Sequence, residues 1–377
     1  MRTLIDLFAG CGGLSTGLKK AGFTPIFFNE LVPDFANTYL RNHPLPNESY
    51  FIGDIRELNL NINKYLGPLL NQYKEIDLIC GGPPCQGFSN ANRQRLIYDE
   101  RNFLYKEFLC FLRFVRPRFF IMENVRGMAN KYNQIVKDFE EYLGCEYSYD
   151  FRLLNAKDFG IPQNRLRFIM IGTRTNIDIS KIFDKLETYK CKQFLLKDAL
   201  AGLPLLHRRV NKNRPSMVEP MAGVEAIQFE YEITDFYRFI NGDKIIPMLY
   251  NHRNRYNNER DCKIFALLPQ GANSLHPSIK HLMPYQSRNH IFKDKYYKLK
   301  EDEVCKTITS HMRYDCNMYI HPTQPRGLSP REAARIQTFP DDYIFTGPPN
   351  SWYAQIGNAV PVKFAEVIGN AIITTEI

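Results

Sequence analysis

The chain is predicted to fold as an α/β protein: a doubly wound, mainly parallel sheet with a smaller, loop-rich domain inserted into it. Three observations predict this. Over the first 175 residues short β-type runs alternate with helical patterns, and polar residues fall at or just past the ends of successive runs. From about 176 to 325 the alternation fades into irregular, Pro- and Asn-containing sequence, as expected of a second domain.

The elements follow in order. TLIDLFA is a β-type run and LSTGLKKAG has a helical pattern; TPIFFNE leads to DFANTYLRN; then come SYFIGDI, IDLICGG, the helical FLYKEFLCFLRFV, FFIMENV, the helical QIVKDFEEYLG, and RLRFIMIG. Leu104, Phe108, Phe111, Leu112 and Val115 recur at three- and four-residue steps, which predicts the core face of a helix. Order returns with LSPREAARIQTFP, where Ser329 is a predicted N-cap, Pro330 takes the first helical position and Glu332 completes a capping box. The expected division is a discontinuous large domain, 1–185 with 351–377, and a second domain, 186–350. There is no internal repeat and no low-complexity tract.

With 377 residues, 44% of them hydrophobic, the chain can bury a full core. No apolar run approaches the roughly 18 residues of a membrane span, and MRTLIDLFAG lacks the progression of a signal peptide, so a cytoplasmic protein with no membrane partner is expected. Nine cysteines, an odd number without a CxxC pair or Cys/His ligand spacing, argue against disulfides and structural zinc, and no metal is expected. Lysine and arginine exceed acids by 49 to 40, a net charge of +9. Residues 251–300 hold ten Lys/Arg against three Asp/Glu, mixed with Tyr, Asn, Gln and His, a composition suited to a polyanion or to a solvated basic face.

The candidate site follows from the polar residues. Asp6 lies within the first run, and Glu30, Asp54, Cys85 and Glu123 come at or beyond the ends of later ones. In a parallel sheet the carboxyl ends of the strands share one rim, where ligands bind. Any one such acid also suits a helix N-cap; a series of them reads as a site. In GGPPCQGFSN, Cys85 follows a rigid Pro-Pro lead past an apolar run, the placement of a reactive thiol, though Gly and Pro also make plain turns. The loop DLFAGCGGLSTG opens a helix, yet its glycines miss GxGxxG because Ser15 stands where the third would fall, and no GxxxxGK[ST] is present. This weighs against dinucleotides and nucleoside triphosphates. An adenosine ligand without pyrophosphate fits better, with Glu30 on the ribose, Asp54 at the adenine and the glycine loop at an amino-acid end. S-adenosylmethionine has those parts.

Cys85 after Pro-Pro, ENV at 123–125, QNRLR at 163–167, REAARIQTFP at 331–340 and QIGNAVP at 355–361, together with the glycine-rich start, resemble the motifs of the DNA (cytosine-5) methyltransferases of prokaryotic modification type. The likeness runs from Leu4 to about Val362, weakest between about 180 and 300. It implies a class I, Rossmann-like AdoMet-dependent fold with a target-recognition domain. It makes Cys85 the nucleophile, Glu123 the carboxyl group at N3 of the base with Asn124 beside it, and Arg165 and Arg167 supports around a flipped cytosine. Phe8, Gly10, Cys11, Gly12, Gly13, Glu30, Leu31, Asp54, Ile55, Pro83, Leu104, Asn358 and Val360 match cofactor-lining positions. The segment Ser89 to Arg101 corresponds to a loop that closes over DNA, with Gln86, Ser89 and Arg101 as DNA contacts. Implied partners are double-stranded DNA and a cognate restriction endonuclease acting on the same site; a monomer is expected. A tRNA cytosine-5 methyltransferase on the same fold is the nearest rival, but the CFT tripeptide of that group is absent. A catalytically silent, sequence-specific DNA-binding protein is a rival of another class, against which Cys85, Glu123 and Arg165 all speak.

Overall fold

The predicted alternation becomes a seven-stranded sheet. β1 (Arg2–Leu7), β2 (Phe23–Glu30), β3 (Tyr50–Ile52), β4 (Leu78–Gly81) and β5 (Phe119–Val125) are all parallel. β6 (Ser148–Asn155) follows, then the two-residue β7 (Gln163–Asn164), which pairs outside this sheet, then β8 (Leu166–Thr173). The sheet order is β3-β2-β1-β4-β5-β8-β6, with β8 antiparallel to both its neighbours. That reversal matters for the site, because it brings the start of β8 to the rim where β5 ends. The computed structural model describes residues 1–84, 104–207, 209, 226–283 and 295–376.

Helices α1 (Gly13–Ala21), α2 (Pro33–Asn42), α3 (Ile55–Leu60), α4 (Ile62–Gln72), α5 (Leu104–Val115), α6 (Tyr132–Leu143) and α7 (Ile179–Thr188) connect or flank the strands. The stripe predicted on α5 is its buried face: Phe108, Phe111 and Leu112 are fully inaccessible, with Leu104 and Val115 packed at its margin. One continuous apolar core joins this face to β1, β4, β5, α4 and α6.

The chain divides into two units, the first Met1–Gly160, Arg165–Lys192 and Ala359–Ile377, the second Ile161–Asn164 and Gln193–Asn358. The boundary expected at 185 would cut α7, whose Ile182, Phe183 and Leu186 are buried, so the division falls after Lys192 instead. The second unit contains α8 (Leu196–Leu200), β9 (Ala226–Gln228), α9 (Asp235–Asn241), β10 (Met248–Tyr250), α10 (Glu259–Leu267), β11 (Cys305–Lys306), α11 (Pro330–Ile336) and α12 (Pro349–Asn358). Among the described residues its strands form two-stranded pairs, β10 with β9 and β11 with β7. The predicted capping box forms at α11: Ser329 Oγ accepts from Glu332 N at 3.2 Å, and Glu332 Oε2 accepts from Ser329 N at 2.7 Å. The return expected at 351 begins at Ala359, because α12 belongs to the second unit: Gly357 lies so close to the Thr309–Ser310 backbone that a side chain there would collide with it.

The chain then re-enters the first unit as α13 (Val362–Thr375), packed along α1. The stretch Pro349–Thr375 has the length and hydropathy of a membrane span, but 61% of its most apolar window is buried within the structure.

Candidate active site

The glycine-rich segment links β1 to α1 through backbone that few side chains tolerate. Phe8 has φ 55°, a left-handed conformation that costs a non-glycine residue energy and is found at functional sites. Gly10 follows at φ 59° and Gly12 at φ 89°, the latter as N-cap of α1. A Cβ on Gly10 would meet nothing within 4 Å, so the loop faces open space there. A Cβ on Gly13 would stand 2.5 Å from the Val360 carbonyl oxygen, and one on Gly17 would run into the Val362 carbonyl and Ala365. Close packing of α1 thus falls on Gly13 and Gly17, four residues apart on one helix face.

Ser15, at the position a dinucleotide loop reserves for glycine, has a different task. Its Oγ donates to Asp6 Oδ2 at 2.7 Å and lies 2.8 Å from Tyr39 Oη, all three residues being fully buried. Burial pushes the Asp6 carboxyl up to about 7, against the opposing hydrogen bond from Ser15. Cys11 is buried in the same region, and desolvation pushes its thiol well above the ordinary range.

Glu30, at the end of β2, is the acid that meets this loop. Its Oε2 accepts from Gly10 N and its Oε1 from Val32 N, each at 2.8 Å. Burial raises its pKa despite these bonds. Each oxygen keeps a second acceptor site, which is what two ribose hydroxyls would require. Leu31 beside it is 61% exposed. Asp54 caps α3, accepting from Arg56 N at 2.9 Å, and pairs with the Arg56 guanidinium at 2.7 Å. The Arg56 hydrogen bond holds its carboxyl below the usual range. Ile55 is part of the apolar core. The glycine loop, Glu30 and exposed Leu31 fit an adenosine ligand.

At the end of β5 the geometry is electrostatic. Glu123 Oε1 lies 2.8 Å from Arg167 Nε, both side chains little exposed. Antiparallel pairing creates the contact, since Val125 is opposite Arg167. A Cβ on Gly82 would lie 3.2 Å from Glu123 Oε2, so the segment after β4 runs close beside this carboxylate. Asn124 turns to that segment: its Nδ2 donates to the Pro83 carbonyl at 2.9 Å and its Oδ1 accepts from Val125 N at 2.9 Å. Asn124 therefore holds the chain just ahead of Pro84 and does not itself stand open to a substrate. Arg165 is buried, with Nη2 donating to the Ala359 carbonyl at 2.9 Å.

Cys85, Gln86, Ser89 and Arg101 lie outside the described residues. Leu104 opens α5 at the core margin, Val360 is buried against Gly13, and Asn358, exposed, ends α12 in the second unit. Sequence reasoning missed Gly17, Ser15 and Tyr39. The Gly13–Gly17 spacing was a usable signal; the Ser15–Tyr39 contact had none. It also missed a buried anchor at the start of α5, where Asp138 of α6 accepts from the Tyr105 hydroxyl and pairs with Lys106 Nζ at 3.0 Å. Among the described residues no cluster of His, Cys, Asp or Glu could hold a metal ion.

A family described as C-5 cytosine-specific DNA methylase matches residues 2–374. The type II methyltransferase M.DdeI of Desulfomicrobium norvegicum is 33% identical, over 98% of this chain and 88% of that protein. M.NgoPII of Neisseria gonorrhoeae is 31% identical, over 98% and 94%. Among solved structures, a prophage-encoded E. coli protein described as a DNA modification methyltransferase aligns with a TM-score of 0.77 at 27% identity, covering 100% of this chain and 99% of that one. The Dnmt2 methyltransferase of S. pombe aligns with a TM-score of 0.55 over 100% and 98% of the two chains; at 14% identity that likeness is one of fold alone.

Proposed function

Because the chain belongs to the C-5 cytosine-specific DNA methylase family, we propose that it methylates C5 of a flipped-out cytosine in a specific double-stranded DNA sequence through a covalent bond from Cys85 to C6. S-adenosylmethionine supplies the electrophilic methyl group; Glu30 and the glycine loop would hold its ribose and amino-acid end. Cytosine C5 is a poor nucleophile until the ring is made electron-rich. Addition of the Cys85 thiolate at C6 gives an enamine whose C5 takes the methyl group as the methyl–sulfur bond breaks, leaving S-adenosylhomocysteine. The charge that develops on N3 is met by the Glu123 carboxyl group, and that on O2 by Arg165. A base then removes the C5 proton as the Cys85–C6 bond breaks and thiolate is released. The target carbon lies inside the duplex stack, so the nucleotide must be extruded first.

The observation that carries this reading is the rim itself. Glu123, braced by Arg167, stands beside the Gly82–Pro83 segment, which Asn124 holds two residues ahead of Cys85. The type II relatives favour a modification enzyme acting in the cytoplasm beside a cognate restriction endonuclease of the same site.

Incubation with labelled S-adenosylmethionine and either duplex DNA or tRNA tests the substrate; label on tRNA alone would reject this reading. Cys85→Ala is expected to abolish turnover while leaving cofactor binding intact, and an active variant would exclude the covalent route.

A further inference from the structure

The second unit displays an aromatic and cationic cluster on a firmly anchored turn. In the turn Ser310–Arg313, Met312 is fully buried, whereas His311 and Arg313 are exposed and Tyr314, next in the chain, is 63% exposed. The His311 and Tyr314 rings meet edge-on with centroids 5.4 Å apart. The Arg313 guanidinium lies 4.5 Å from the Tyr314 ring centroid and donates to its hydroxyl. No carboxylate pairs with Arg313 among the described residues.

From behind, Arg255 donates to the Met312 carbonyl at 2.7 Å and to the Arg313 carbonyl at 2.6 Å, and it also bonds Asn350. Its guanidinium sits 5.2 Å from the Tyr353 ring centroid. Gly357 lets α12 press directly on the Thr309–Ser310 backbone. Three planar polar groups therefore point outward from a backbone that cannot easily shift. Such preorganisation suits recognition, because little rotamer freedom is left to lose on binding.

We propose that His311, Arg313 and Tyr314 form a sequence-reading surface for DNA, with Arg313 contacting the edge of a guanine in the target site. The inference rests on the DNA methyltransferase reading above. A planar guanidinium with no carboxylate partner among the described residues matches guanine O6 and N7 in a bidentate contact, and the adjoining Tyr and His rings offer stacking and further hydrogen bonds. The cluster lies outside the 251–300 stretch in which the basic excess is concentrated.

The test begins with bisulfite sequencing of DNA from cells expressing the wild type, which locates the target. Binding of wild type, Arg313→Ala, Arg313→Lys and Tyr314→Ala is then measured on that duplex and on a scrambled one, at two salt concentrations. Arg313→Ala is expected to bind the target about 10- to 100-fold more weakly, the scale of one bidentate base contact, and the scrambled duplex within a few-fold of wild type. Arg313→Lys keeps the charge without the fork and should lose nearly as much on the target. An unchanged urea-unfolding profile in every variant would show that the protein remains folded; Tyr314→Ala repeats the test should Arg313→Ala misfold. Wild-type discrimination by Arg313→Ala would overturn the proposal. So would equal weakening on both duplexes with a flatter salt dependence, the signature of a phosphate contact. A wild type that methylates no DNA would instead defeat the underlying reading.

Discussion

The two units satisfy their backbones in opposite ways. In the first, a seven-stranded ladder pairs the strand amides and carbonyls, and sheet and helices enclose a large apolar core and a smaller cluster of Ala9, Phe28, Ala36 and Tyr39. In the second, the strands among the described residues are two or three residues long, and buried arginines satisfy carbonyls outside any ladder. Arg331, fully buried, donates to the carbonyls of Tyr250, Pro340 and Tyr343 at 2.8, 3.0 and 2.6 Å. Arg335 bonds the Ala201 carbonyl at 2.8 Å and pairs with buried Asp341 at 2.8 Å; Arg326 pairs with Glu332 at 2.6 Å. Buried carbonyls outside regular structure must still be satisfied, and a guanidinium reaches several at once. Buried, hydrogen-bonded charge ties this irregular backbone together.

That contrast can be broken most severely at Arg335. Arg335→Ala leaves the Asp341 carboxylate buried beside Asn241 with its counter-ion gone, and is expected to cost about 3–5 kcal/mol in urea unfolding. An unchanged midpoint would mean that the second unit does not depend on its buried charges. At the rim of the first unit, Glu123→Gln should lower turnover roughly 100-fold without changing the unfolding midpoint by a comparable amount. A variant within a few-fold of wild type would reduce Glu123 to a partner of Arg167.

Gly17→Ala tests the apolar unit by packing alone. Its new methyl would collide with the Val362 carbonyl, and a loss of about 1–3 kcal/mol is expected on thermal unfolding. Gly67→Ala in α4, where a Cβ meets nothing within 4 Å, should be neutral or stabilising, by up to about 1 kcal/mol.

Asp6 ties the first unit to pH. Its folded carboxyl, pushed up to about 7 by burial, holds a proton that the unfolded chain releases near 3.8. The folded state therefore binds more protons across that window, and stability falls as pH rises from about 4 to 7, by at most about 1.4 kcal/mol per pH unit. Asp6→Asn should flatten this part of the stability profile; a profile identical to wild type would place the slope elsewhere.

Much of the first unit was legible because its signals are local. Alternating apolar runs report a strand's two faces, the stripe from Leu104 to Val115 reports one helix face, and Ser329 with Glu332 closes a box within one turn. The topology rule then brought Glu30 and Glu123 to one rim without any contact being known. Asp54 was read only in part: its cap and its bond to Arg56 are two residues away in sequence, whereas the adenine assigned to it is a tertiary matter.

What the sequence determined alone was the periodicity that selects a doubly wound sheet and the chemical types set at its strand ends. The tertiary structure decided that Asn124 grips the Pro83 carbonyl, that Ser15 serves Asp6, that α1 presses on Val360 and Val362 through Gly13 and Gly17, and that three arginines of one short segment are buried. The reason is range. Periodicity and caps act within a turn or a pleat, but which carbonyl lacks a partner, and which glycine a distant segment must approach, are settled only when the chain has packed.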